Sequence, residues 1–90
     1  MEKELFKIIE TYGIKNQTKK FGKESFELIE AIIDDEKTIK DVEEKIADVL
    51  VLIGQFITYF EINLDDIEKI FKRKVNHSIN KIVFKNLENF

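Results

Sequence analysis

The sequence predicts an all-α protein, a small bundle of four antiparallel helices completed by oligomerisation. Three observations carry this. Apolar residues recur at three- and four-residue spacing almost throughout, and no segment keeps the strict alternation of a half-buried strand. The 90 residues include no proline and only three glycines, too few turn formers for a β fold. Hydrophobic residues make up 43% of the chain, enough for a core but thin for a 90-residue monomer, which argues for a partner subunit.

The first helix is expected from Glu2 to Tyr12, with Leu5, Ile8, Ile9 and Tyr12 on one side and Gly13 as its stop. The second, about Asn16 to Ile33, carries Phe21, Leu28, Ile29 and Ile32 and ends in the acidic run Asp34-Asp35-Glu36. A third is expected from Asp41 to about Phe60, with Asp41 and Glu44 in the spacing of a capping box. Between Ile46 and Phe60 it is apolar on nearly every side, the pattern of a helix surrounded by others. Asn63, with Asp66 three residues on, marks the fourth start, and Ile67, Ile70, Phe71, Val75, Ile79 and Ile82 form its stripe. Around Phe84, Leu87 and Phe90 the periodicity weakens, which suits an end that frays or docks on a second chain. Residues 1–90 read as a single domain without internal repeats.

Composition excludes several function classes. Without cysteine there is no disulfide framework and no thiolate zinc site, and without a glycine-rich phosphate loop there is no P-loop or Rossmann nucleotide site. The charged amino terminus, Met1-Glu2-Lys3-Glu4, lacks a secretory h-region, and the longest apolar run, Val49 to Ile53, is far short of the roughly 20 residues of a membrane span. A cytoplasmic protein with no membrane partner is expected. The net charge of -3 hides a split: residues 24–48 carry ten acids against three lysines, and residues 69–85 carry six bases and no acid. The acidic total makes nucleic acid the weakest partner class for the basic helix. His77, the single histidine, has no cysteine, serine-nucleophile pattern or second histidine near it in sequence and reads as a surface or core-edge residue.

Asp48 is the informative residue, because it lies inside the helix expected to be most buried and an ionised carboxylate there needs a partner. Glu24 and Glu27, three apart on the preceding helix, share a face that Ala31 continues. Three carboxylates from two antiparallel helices suit a hard divalent cation with oxygen ligands. Lys23 or Lys45 would neutralise the same acids with no metal at all, and periodicity alone leaves the two accounts equal.

The string Gln17-x-x-Lys20-x-x-Lys23-Glu24-x-x-Glu27-Leu28, followed by Glu43-Glu44-Lys45-Ile46-Ala47-Asp48-Val49-Leu50, resembles the MazG-like all-α nucleoside triphosphate pyrophosphohydrolases. Their signature is Glu-Glu-x-x-Glu and then Glu-x-x-Asp on the next helix. The resemblance runs from about residue 5 to residue 82. It implies a Mg²⁺-dependent enzyme (with Mn²⁺ as a substitute ion) that cuts a nucleoside triphosphate between its α and β phosphates and works as a homodimer or homotetramer. Carried over, Glu24, Glu27 and Asp48 are its catalytic and metal-binding residues. Glu44, four residues before Asp48, reaches the same face as a further ligand. Lys74, with Lys72 and Asn76, matches the phosphate-gripping region, and Gln17 and Lys20 match a lead-in that contacts ligand. Lys23 and Lys45 stand where the family has glutamates. The alternative is therefore a weakened or inactive homologue in which these lysines replace metal ligands and the chain binds nucleotide or a protein without cutting. Gly54 would allow close helix approach, and Gln55, seven residues after Asp48, falls on the face of the site.

Overall fold

A computed structural model describes residues 1–88, and Phe90 lies outside them. The described residues form four helices and no strand: α1 (Glu2–Tyr12), α2 (Ile14–Ile33), α3 (Ile39–Tyr59) and α4 (Leu64–Glu88). None is long and apolar enough to cross a membrane.

The boundaries follow from local chemistry. Between α1 and α2 the chain needs a single residue, Gly13, at φ 87, a left-handed conformation that a Cβ would penalise. Its N–H donates to the Ile9 carbonyl at 2.8 Å, closing α1 as expected. α2 then starts two residues earlier than the sequence suggested. α3 starts at Ile39 because the capping box is Thr38 with Asp41, not Asp41 with Glu44. Thr38 Oγ1 accepts from the Asp41 N–H at 3.3 Å, and Asp41 Oδ2 accepts from the Thr38 N–H at 2.8 Å. That backbone bond, and then the Thr38 hydroxyl, hold the Asp41 carboxyl below its ordinary range. Before α4, Asn63 Oδ1 accepts from the Asp65 N–H at 2.8 Å, so Asn63 opens the helix as its residue type predicts.

α1, α2 and α3 pack on one another. Ile9, Ala31 and Leu52 fill their shared core, and Phe21 meets Phe56 edge to face with ring centres 5.7 Å apart. Gly54 admits α1 closely, since a Cβ there would stand 3.1 Å from Leu5 Cδ1. The expectation that α3 is surrounded does not hold in one chain: Ile46, Leu50, Val51 and Ile53 are exposed, because only α1 and α2 cover it. α4 has no buried residue and no extensive packing on another helix; only its first residue, Leu64, lines a pocket with Phe6 of α1 and Ile57 of α3. The α3–α4 turn directs it outward. Glu61 sits at φ 52, its N–H donates to the Thr58 carbonyl, and the Ile62 N–H donates to the Ile57 carbonyl at 2.9 Å, the paired bonds of a Schellman stop without the usual glycine. The radius of gyration is 17.1 Å, against about 12 Å for a compact domain of this length.

Candidate functional site

The antiparallel pairing of α2 and α3 sets Glu24 and Glu27 opposite Lys45 and Asp48. Lys45 Nζ lies at the centre. It donates to Glu27 Oε2 at 2.7 Å and stands 3.7 Å from both Glu24 Oε2 and Asp48 Oδ2. The carboxylates predicted to converge therefore do so, around an ammonium group. Asp48 is not buried as its sequence context suggested; its side chain is 47% exposed, so water as well as Lys45 solvates it. Glu24 is the enclosed member, and its Oε2 is buried with no hydrogen-bond partner.

Charge and hydrogen bonding lock the Lys45–Glu27 pair. The Lys45 hydrogen bond, ahead of the opposing desolvation and the further pull of Lys45 and Lys23 charge, lowers the Glu27 carboxyl pKa. The same bond raises the Lys45 pKa, and the charges of Glu27, Glu24 and Asp48 add to it. Lys23 is exposed and makes no ion pair among the described residues, so the two lysines that sequence treated alike differ in the fold.

This pair separates two grooves. One, a cleft of about 200 Å³, is lined by Gln17, Lys20, Glu24, Asp48, Leu52 and Gln55 among others. At its floor Gln17 Nε2 donates to Gln55 Oε1 at 2.8 Å, and both amides are buried. The expected contacts Gln17 and Lys20 thus share the cleft with Glu24 and Asp48. The sequence put Gln55 on this face but gave no sign that its partner is Gln17, 38 residues away. The other groove, about 370 Å³, holds Glu27, Lys45 and Glu44 with Glu30, Asp34, Lys37 and Asp41. Glu44 therefore lies across the Lys45–Glu27 wall from the Glu24 cleft. Lys72, Lys74 and Asn76 are not brought to either groove within one chain, because α4 makes no extensive packing on α2 or α3. Lys72 instead pairs with Glu68 on its own helix at 3.0 Å.

In kind, the donor set fits a hard divalent cation, being all carboxylate, with one buried oxygen of Glu24 making no hydrogen bond. In arrangement, among the described residues no group of three or more His, Cys, Asp or Glu side chains surrounds one ion position as it stands, since Lys45 occupies the shared point. The Lys45 side chain is 32% exposed and has solvent to swing into. No protein-family model matches the chain, and neither a curated protein nor a solved structure matches it.

Proposed function

We propose that the chain is a Mg²⁺-dependent nucleoside triphosphate pyrophosphohydrolase of the MazG-like kind, acting as a homo-oligomer. The observation that carries this reading is the convergence of Glu24, Glu27 and Asp48 from two antiparallel helices beside a cleft with a polar floor. Glu24, Glu27 and Asp48 would hold Mg²⁺ or Mn²⁺ once the Lys45 ammonium leaves the point they share. When bound, the ion supplies charge neutralisation on the phosphates and acidity to a bound water.

The chain's own groups supply the rest. Glu24, which lines the cleft and whose Oε2 makes no hydrogen bond, would orient a water and accept its proton as that water attacks phosphorus and the bond to the pyrophosphate leaving group breaks. Lys20, at the same cleft, offers positive charge to a phosphate oxygen. The Gln17–Gln55 pair fixes the floor and spends one donor and one acceptor on itself, leaving the remaining amide groups for ligand.

One observation favours a second reading. Lys45 Nζ at 2.7 Å from Glu27 is a resident cation, and if it stays in place the chain binds nucleotide or a protein partner without cutting. Incubation with a panel of NTPs and dNTPs plus Mg²⁺ or Mn²⁺, following pyrophosphate, separates the two. Release that is abolished in Asp48→Asn and raised in Lys45→Glu supports hydrolysis. No release from the wild type or from Lys45→Glu sinks it; a nucleotide-dependent rise in melting temperature in the same samples then supports the second reading.

A further inference from the structure

α4 is the unresolved problem of the single chain. Leu64, Ile67, Phe71, Val75, Ile79 and Ile82 follow one another at spacings of three and four, so they form one continuous stripe, and all are exposed. Water-facing stripes of this length are unstable unless something covers them. α3 shows the same defect on its outer side. Ile39, Ile46, Leu50 and Ile53 recur at spacings of seven, four and three, share a face, and are exposed.

We infer that the stripe of α4 docks on the outer apolar stripe of α3 of a second copy of this chain, in a two-fold pair where each copy gives α4 and receives its partner's. This specifies the contact behind the oligomer expected above and does not depend on the hydrolysis reading. Three observations choose the occupant. First, the lengths match: the α4 stripe runs about 27 Å and the α3 stripe about 21 Å, whereas the exposed apolar line on α2, Phe26, Ile29 and Ile33, covers only about 10 Å. Second, the charges are complementary. Lys74, Lys81 and Lys85, seven and four apart, run along the helix whose residues 69–85 carry six bases and no acid. The receiving helix carries Asp41, Glu43, Glu44 and Asp48 against Lys40 and Lys45, and Glu43, three residues before Ile46, borders the stripe. Third, the Schellman turn at Glu61 carries α4 away from its own α3, leaving both stripes open. One helix-on-helix contact is small against the roughly 1,600 Å² of a standard interface; the isologous arrangement supplies it twice.

The test is the mass of the full chain in solution. By light scattering at about 100 μM, enough to fill a micromolar contact, the wild type is expected at twice its 10.7 kDa. Phe71→Glu and Leu50→Glu are each expected at the mass of one chain with their helical circular dichroism kept, because these side chains are 65% and 57% exposed and leave the α1–α3 core untouched. Mixing the two variants is expected to give a weaker pair, its average mass above that of either variant alone, since the intact α4 of one meets the intact α3 of the other in one of the two contacts. Lys74→Glu with Lys81→Glu should weaken the pair by about tenfold, and added salt should weaken the wild type. A wild type that stays single, whether from α4 folding back on its own chain or from reliance on a foreign partner, overturns the inference. So does a Phe71→Glu chain that keeps the wild-type mass. A Leu50→Glu chain that keeps the wild-type mass also refutes it, because α4 would then pair with α4 and not with α3. Pyrophosphate release enters none of these readouts, so the hydrolysis reading stands or falls separately.

Discussion

The first three helices and the fourth are made of similar material and end differently. α1–α3 and α4 each carry an apolar stripe, but Ile9, Ala31 and Leu52 are covered and no residue of α4 is. The difference lies in the connections. A one-residue left-handed glycine and a short acidic loop return α2 and α3 against α1, whereas the Glu61 turn sends α4 outward. An amphipathic period says that a helix needs a partner. It does not say which one, or on which chain.

The contrast can be broken first at its strongest point. Leu52→Ala should cost about 2–5 kcal/mol in urea unfolding, because it empties a site enclosed by three helices. Phe71→Ala, measured at high dilution, should change stability by less than about 0.5 kcal/mol. Equal losses would mean that α4 is packed within the single chain. Next is the buried amide pair. Gln55→Ala leaves the Gln17 side chain enclosed without its acceptor and should cost roughly 1–3 kcal/mol; a neutral result would show that water enters the cleft floor.

At the junction of the two regions, Glu61→Gly should stabilise by about 1 kcal/mol, since glycine takes the left-handed conformation without a Cβ clash. Loss of stability there would mean that the Glu61 side chain makes a contribution larger than its backbone strain.

The smallest effect is the pH dependence of the Lys45–Glu27 pair. The folded Glu27 carboxyl has a lowered pKa, so the unfolded chain binds more protons in that range. Its contribution is complete above the ordinary glutamate value, about 4.3, and disappears as pH falls through the lowered one. Lys45 has a raised pKa, so its contribution is complete below the ordinary lysine value, about 10.4, and is lost as pH rises through the raised one. Glu27→Gln should flatten the acid limb of the urea midpoint against pH. An unchanged acid limb would show that the pair is already broken in solution.

Particular residues show what could be read in advance. α1 was legible to the residue, because Gly13 is the sort of stop that glycine alone provides cheaply. The start of α3 was misread since Thr38-x-x-Asp41 and Asp41-x-x-Glu44 overlap, and Asp41 is able to serve either as cap or as the third helical residue; the backbone selects the second. Glu24, Glu27 and Asp48 were legible as one face each on two helices. Which lysine joins them was not, because Lys23 and Lys45 each lie within one helical turn of a carboxylate of the cluster and only the α2–α3 register points one inward. Lys72, Lys74 and Asn76 were placed with the carboxylates by resemblance, and no local signal reveals that α4 stands apart.

Sequence by itself determined the helical class, the four elements, the opposed charges of α2–α3 and α4, and the two carboxylate-bearing faces. These depend on spacing within one or two turns, where the forces are local. Tertiary structure alone decided that Lys45 fills the cluster, that Gln17 meets Gln55, that Asp48 is half in water and that α4 is bare. Each of those depends on how helices distant in sequence are set against each other, and that is fixed by shape and turn geometry that periodicity does not encode.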